Sequence, residues 1–244
     1  MKKTISIFLA IVMLLSMSVT AFAAESHIGT AQASTGNKIS GEMVLTEQQN
    51  AEYLANLSEY DLQKIAEKEA ASSQVVRNTM ARSGSLVTVP NSYTMYQQQT
   101  DTYCIPATIR TILMYINGTS PTQADIADEV GTDPTNIPDY LNERQSDCYY
   151  VYKAKRNYDQ EEMCSNLYST ISMAEVPASM GISGTTSNNW YYATDGHSLV
   201  VFGIYDDYSY IRFGDPLGDR VDGCPYFYTK SADLSYDVST RIVW

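Results

Sequence analysis

Histidine is scarce in this sequence of 244 residues, which contains only His27 and His197. His27 lies near the N-terminus in a polar stretch of small residues, which favours a flexible leader. His197 follows a glycine and opens an apolar run that is typical of a strand. Because imidazole changes charge near neutral pH, we expect any histidine chemistry of the folded part to depend on His197.

A carboxylate follows His197 at a spacing that predicts proximity. The strand that starts at His197 is separated from the next apolar run by Asp206 and Asp207 alone, which predicts a two-residue hairpin. A tight hairpin brings His197 opposite Pro216, and a shift of one residue brings it opposite Asp215. Cross-strand neighbours lie about 5 Å apart, so either register lets Asp215 orient the imidazole. The alternative is a simple Asp-Pro turn at the strand end.

Cys104 is the candidate nucleophile. It precedes an apolar run with helical spacing and has Pro106 in the first turn. The positive end of a helix dipole stabilises a thiolate, which is the attacking species. The alternative is a structural cysteine or half of a disulfide, the default state of cysteines in an exported chain. If Cys104 stays free for catalysis, at most one bridge can form among the remaining cysteines, which are Cys148, Cys164 and Cys224.

An acyl-transfer site also needs donors for an oxyanion. The backbone N–H of Cys104 is one candidate, and the side-chain amide of Gln97, Gln98 or Gln99 just upstream is another. Spacing alone does not choose among the three glutamines. Ser198 is a poor alternative nucleophile, because neighbours on a strand point to opposite faces and the sequence has no G-x-S-x-G elbow.

The elements that must position these residues are helical first and stranded later, which predicts an α+β domain over residues 86–244. A helix is expected from Cys104 to Asn117–Gly118, and a second from a Ser120 cap to Gly131. Residues 45–78 favour one or two amphipathic helices. Further helices are expected over 138–143 and 159–172, and strands over 86–90, 149–153, 176–182, 198–205, 208–213, 226–228 and 240–243.

The N-terminus predicts an export signal over residues 1–23. Lys2 and Lys3 precede an apolar run, and Ala21-Phe22-Ala23 gives the small-x-small cleavage pattern. The alternative, a membrane anchor, is disfavoured because the run is short for a span. We therefore expect a secreted or cell-surface protein without stable membrane insertion after cleavage. Residues 24–85, with a flexible leader to residue 42 and a linker over 79–85, are expected to be a helical pro-segment or an N-terminal extension.

The charge and the cysteine spacing of the sequence exclude some classes of partner and ligand. Hydrophobic residues make up 44% and charged residues 18%, which permits a packed core. The formal net charge is −12, and loss of Lys2 and Lys3 with the signal makes it −14. An acidic surface repels phosphate, so we expect no nucleic-acid partner. The cysteines form no CxxC pair, so no zinc site is expected.

Two separated motifs resemble the papain-like cysteine peptidases. They are most similar to the branch of bacteriocin leader (double-glycine) peptidases and their stand-alone secreted relatives. The first motif runs from Gln98 to Cys104-Ile105-Pro106-Ala107, and the second joins His197 and its strand to Asp215-Pro216. The resemblance covers about residues 92–218. Two positions depart from it, because Ile105 stands where relatives often have glycine and Tyr103 where many have aspartate; both put substrate choice in doubt more than chemistry.

The resemblance implies a papain-like fold, with the cysteine on a central helix that packs against a C-terminal antiparallel sheet. It implies that Cys104 is the nucleophile, His197 its base, Asp215 the orienting carboxylate and Gln98 the oxyanion donor. It implies a peptide or protein substrate and no metal or cofactor. A cell-wall amidase on the same scaffold and a non-catalytic binding module are the alternatives.

Overall fold

An antiparallel sheet with helices packed against it forms the core of the computed structural model, which describes residues 39–78 and 83–244. The predicted signal peptide, His27, most of the predicted leader and residues 79–82 of the predicted linker lie outside the described residues. Within the described part, no helix is both long and apolar enough to span a bilayer.

The described residues form seven α-helices and eight strands. The helices are α1 (Glu47–Asn56), α2 (Glu59–Asn78), α3 (Cys104–Asn117), α4 (Gln123–Val130), α5 (Ile137–Asn142), α6 (Gln160–Ser172) and α7 (Ala232–Val238). The strands are β1 (Ile39–Ser40), β2 (Leu86–Thr88), β3 (Tyr152–Ala154), β4 (Ala178–Ile182), β5 (Thr194–Tyr205), β6 (Tyr210–Gly214), β7 (Phe227–Ser231) and β8 (Ser239–Val243). This composition confirms the predicted α+β class.

The long strand β5 organises the sheet, whose order is β3-β8-β4-β5-β6-β7 with every neighbour antiparallel. On one edge of β5, β4 pairs with residues 197–201 and β2 with residues 203–205. On the other edge, β6 pairs with residues 200–204. The short strand β1 pairs in parallel with Thr194 and Gly196, just before the histidine. The chain's N-terminal segment therefore reaches the same strand that carries His197.

Helix α3 is anchored by its apolar face. Ile105, Ile109 and Ile112 are completely buried, and the Thr108 hydroxyl donates a hydrogen bond to the Ser198 carbonyl on β5 at 3.3 Å. Gly118 ends the helix in the left-handed region at φ 69°, where glycine has no steric penalty. The predicted helix over 104–117 is confirmed.

Helices α1 and α2 confirm the amphipathic helices predicted over residues 45–78. Helix α2 packs on α6, where the Ser72 and Ser169 hydroxyls are 2.8 Å apart. The half-buried Lys68 donates from its ammonium to the Tyr149 carbonyl at 2.9 Å, and this ammonium lies 4.7 Å from the Trp244 ring centroid. The predicted flexible leader is wrong for residues 39–42, because residues 39–40 form β1 and the Gly41 and Glu42 N–H groups bond to β5.

The predicted two-residue hairpin between β5 and β6 is wrong, because β6 starts at Tyr210 rather than Tyr208. The Asp207 carboxylate accepts hydrogen bonds from the Ser209 N–H and hydroxyl, and Tyr208 takes a left-handed φ of 62°. These local bonds extend the turn by two residues. A β-bulge between Val201 and Gly203 changes the register again. Asp215 consequently follows the end of β6 and is not paired in the ladder.

Two smaller differences concern the start of α4 and the presence of α7. Helix α4 starts after a Thr122 cap, because Thr122 and Asp125 satisfy each other's backbone N–H groups in a capping box. The expected Ser120 cap instead donates its hydroxyl to the Pro121 carbonyl. Helix α7, capped by the Ser231 hydroxyl, was not predicted at all.

Candidate active site

His197 and Asp215 are in direct contact. Both side chains are completely buried, and His197 Nε2 lies 2.9 Å from Asp215 Oδ1. Strand β5 fixes the imidazole, since His197 pairs with Ile182 of β4. Asp215 is fixed by its backbone N–H, which donates to the Tyr226 carbonyl at 2.9 Å. The two residues thus meet at the same end of the β5–β6 hairpin.

Asp215 accepts several other hydrogen bonds. Its Oδ2 receives the hydroxyls of Tyr192 at 2.6 Å and Tyr228 at 2.7 Å. Its Oδ1 also receives the Leu217 backbone N–H at 2.8 Å. A carboxylate with this many donors stays ionised in a buried site. The arrangement therefore holds a fixed negative charge beside His197.

Cys104, the candidate nucleophile, is the first residue of α3, and its side chain is completely buried. Tyr103 precedes the helix and its side chain makes no capping bond. The first-turn N–H groups of α3 therefore have no side-chain cap, and their partial positive charge is directed towards the thiol.

Electrostatics couple the three side chains. Burial lowers the pKa of His197, but the Asp215 carboxylate and the Cys104 side chain together raise it to about 10. Burial raises the pKa of Asp215, but His197 and the bonds from Tyr192 and Leu217 hold it below its usual value. At neutral pH the pair is therefore an imidazolium and a carboxylate. An imidazolium beside a thiol stabilises the thiolate, which is the reactive form of cysteine.

The ring nitrogens of His197 have different environments. Nε2 bonds to Asp215, whereas Nδ1 is buried and bonds to no oxygen or nitrogen atom of the described residues, so the Cys104 side chain is the group that acts on it. Nδ1 is therefore the ring atom that is left to exchange a proton with Cys104.

Gln98 is the buried member of the three upstream glutamines, with 1% of its surface exposed. Its backbone N–H donates to the Pro216 carbonyl at 3.0 Å, which ties it to the segment that carries Asp215. Its side-chain Nε2 donates to the Thr100 carbonyl at 2.8 Å, and its Oε1 has no partner among the described residues. The structure thus places the backbone of Gln98 beside the segment that carries Asp215. Its side-chain amide bonds to Thr100 of the same loop.

A segment of the N-terminal region covers Cys104. We call residues 39–42 the strap. A Cβ atom at Gly41 would lie 2.9 Å from Cys104 Sγ and 3.2 Å from the Asp101 carbonyl oxygen, so only glycine fits there. The Gly41 and Glu42 N–H groups both donate to the Gly196 carbonyl, at 2.9 and 3.2 Å. The strap therefore lies directly over the thiol and beside His197.

Sequence reasoning missed the two tyrosines on Asp215 and the strap. Tyr192 and Tyr228 lie in aromatic stretches that resemble ordinary core, and no spacing rule links them to Asp215. Gly41 and Glu42 lie in a stretch of small polar residues that predicts flexibility. Only the tertiary structure brings them to the site.

None of the observations on Cys148 and Cys224 favours either of them over Cys104 as the nucleophile. Cys104, Cys148 and Cys224 are free thiols, and no disulfide is present in the described part of the chain. Cys224 Sγ lies 3.7 Å from Asp215 Oδ2, and burial together with this carboxylate raises its thiol pKa well above the usual range. Across residues 39–78 and 83–244, no group of three or more His, Cys, Asp or Glu side chains could hold a metal ion.

Comparison with known proteins identifies the family. Residues 90–237 match the model of the Peptidase_C39 like family, which is more than half of the chain. No curated protein is significantly similar to the sequence. Among solved structures, xylellain, a cysteine protease from Xylella fastidiosa, is 13% identical with a TM-score of 0.41, over 70% of this chain and 87% of that chain. The family match confirms the predicted cysteine-type peptidase with peptide or protein substrates. The chain belongs to the Peptidase_C39 like family.

Proposed function

We propose that Cys104, His197 and Asp215 form the catalytic triad of this peptidase. The observation that carries the proposal is the buried 2.9 Å contact between His197 Nε2 and Asp215 Oδ1, with the Cys104 side chain acting on the same imidazole. In such a site the carboxylate orients the imidazole and stabilises its charged form. The start of α3, where Cys104 lies, has no side-chain cap, and the Cys104 side chain acts on the His197 imidazole.

The chemistry is acyl transfer in two steps. The Cys104 thiolate attacks the carbonyl carbon of the scissile peptide bond, and the imidazolium of His197 gives its proton to the leaving amine. The thioester that remains is attacked by water, whose proton passes to His197 as the carboxylic acid leaves Cys104. Each step forms and removes a negative charge on the former carbonyl oxygen, which needs hydrogen-bond donors.

Gln98 and the backbone N–H of Cys104 are our proposed donors to that oxyanion. Burial and the bond to Pro216 support Gln98 over Gln97 and Gln99. Its Nε2 now donates to Thr100, so we propose that the amide rotates towards Cys104 when substrate replaces the strap. The unpartnered Oε1 means that this rotation costs only one side-chain hydrogen bond.

We further propose that the strap keeps the precursor inactive, as part of an intramolecular pro-segment within residues 24–85. Gly41 occupies the space above the Cys104 sulfur that a substrate must enter. The apolar N-terminus supports export, with a signal over residues 1–23, and the acidic charge of the mature chain disfavours nucleic acid as a partner. The proposed site of action is therefore outside the cell, after removal of the signal and displacement of the strap.

Chemical labelling tests the triad. The mature secreted protein, from which the strap has been removed, is treated with iodoacetamide at mildly acidic pH, and each cysteine is followed by mass spectrometry. We expect Cys104 to label faster than Cys148, and hydrolysis of a peptide library to disappear in Cys104→Ala but to persist in Cys148→Ala. Cys148 is the matched control because it is also a free, largely buried thiol and its sulfur lies 3.4 Å from the Lys68 ammonium, so a nearby cation alone would not explain faster labelling of Cys104. Hydrolysis that survives in Cys104→Ala would exclude the triad.

A further inference from the structure

The strap is fixed by a buried ion pair that lies one residue from Gly41. Glu42 Oε2 accepts a hydrogen bond from Arg241 Nη2 at 2.6 Å, and Oε1 accepts one from Arg241 Nε at 3.1 Å. Both side chains are only 1% exposed. Such a two-point contact between a guanidinium and a carboxylate is strong and specific in its geometry.

Arg241 is built into the sheet independently of the strap. Its Nη1 donates to the Ser179 hydroxyl at 2.7 Å and its Nη2 to the Ser198 hydroxyl at 2.8 Å. Ser179 lies on β4, Ser198 on β5 and Arg241 on β8, so three neighbouring strands hold the guanidinium in place. Only the carboxylate of Glu42 comes from outside the sheet.

The sheet beneath the Glu42 carboxylate leaves room for it, because the residue there is glycine. Gly181 of β4 pairs with both Ser198 and Arg241, and a Cβ atom there would collide with Glu42 Oε1. The buried Thr240 hydroxyl points at the same place and has no hydrogen-bond partner among the described residues. When Glu42 leaves, a buried cation and an unused hydroxyl remain. A buried charge without a partner is costly, so the site favours another anion.

We propose that Arg241, with Ser179, Ser198 and Thr240, forms a substrate subsite for an acidic side chain, which Glu42 occupies in the precursor. Consecutive Cα atoms are about 3.8 Å apart, so the subsite lies one residue from the position over Cys104. The peptidase then prefers peptides that carry Glu or Asp next to the residue facing Cys104. This inference rests on the proposed function of Cys104, although the subsite itself binds without catalysis. Arg241 lies outside residues 90–237, which the family model matches.

Binding to an inactive protein tests the subsite separately from catalysis. The full chain carrying Cys104→Ala and Glu42→Gln is titrated with fluorescent hexapeptides in which glycine is preceded or followed by Glu, and with matched peptides that carry Gln instead. We expect at least one Glu peptide to bind about 10-fold more tightly than its Gln partner, because charge-assisted bonds are about twice as strong as neutral ones. Adding Arg241→Gln is expected to bring the ratio to about one.

Equal binding of the Glu and Gln peptides to a folded parent protein overturns the subsite, whatever the activity of the enzyme. If Arg241→Gln fails to fold, Ser179→Ala replaces it, since this variant keeps the charge and removes one bond that orients the guanidinium. It is expected to lower the Glu preference about threefold, and an unchanged ratio there contradicts the proposal. If the Glu42→Gln chain that retains Cys104 hydrolyses no peptide but still prefers Glu peptides, the result counts against the triad and leaves the subsite standing.

Discussion

Two acid–base pairs are buried close to Cys104, and they differ in how the chain holds them. The His197–Asp215 pair joins residues 18 positions apart, and Asp215 is supported by Tyr192, Tyr228 and the Leu217 N–H. The Glu42–Arg241 pair joins residues 199 positions apart, and Glu42 contributes its side chain from the strap. Removing the strap leaves the first pair complete and breaks the second.

Under the proposed role of the strap, the first pair is permanent and the second depends on a segment that is removed. Among the described residues, the hydrogen-bond donors to the Asp215 carboxylate all lie within residues 192–228, so Asp215 is positioned whether or not the strap is removed. Arg241 keeps its serine partners when the strap leaves, but it loses the only carboxylate that binds it among the described residues. The first pair is therefore suited to serve chemistry, and the second to exchange one carboxylate ligand for another.

The largest expected effect comes from breaking the first pair with Asp215→Asn. The variant keeps the shape but loses the charge that favours the imidazolium, so we expect kcat/KM for peptide hydrolysis to fall by about 10²–10⁴-fold. Steady-state hydrolysis of the best peptide from a library measures it. Asp219→Asn is the matched control, since Asp219 makes no side-chain contact with His197 among the described residues, and it should retain activity. An Asp215→Asn enzyme within a few-fold of the parent would contradict the role of this pair.

Breaking the second pair with Glu42→Gln should raise the reactivity of the Cys104 thiol and the rate of hydrolysis, whereas Asp215→Asn lowers the rate. Loss of the buried charge partner of Arg241 destabilises the closed strap by about 3 kcal/mol, so the strap opens more often. We expect faster labelling of Cys104 by iodoacetamide, faster peptide hydrolysis and a lower free energy of unfolding in urea. The control is Glu47→Gln, because Glu47 is an exposed residue of α1.

Unchanged labelling of Cys104 in Glu42→Gln, with an unchanged free energy of unfolding, would show that the strap does not depend on this ion pair. Faster labelling without faster hydrolysis would separate access to the thiol from access for a peptide, and so would contradict the strap as the inhibitory element.

The contrast between the pairs also explains what the sequence could predict. His197 and Asp215 are joined by a hairpin, so local strand patterns were enough to place them together even though the expected turn and register were wrong. Helix α3 was likewise visible, because its apolar periodicity and the glycine after it are local signals. The strap has no such signal. Its conformation depends on Arg241 and Gly196, which are distant in sequence, and small polar residues by themselves favour a flexible chain.

The smallest expected effect is a pH dependence that belongs to the first pair alone. The pKa of His197 is raised from 6.5 to about 10 in the folded chain, so its contribution to stability is complete below pH 6.5 and is lost as the pH rises towards 10. The pKa of Asp215 is lowered, so its contribution is lost as the pH falls below the usual range of a carboxyl group. We expect Tm to fall by several degrees between pH 7 and pH 10 in the parent and by less in Asp215→Asn, measured by thermal unfolding in matched buffers. Equal slopes for the two proteins would mean that this loss of stability does not come from the His197–Asp215 pair.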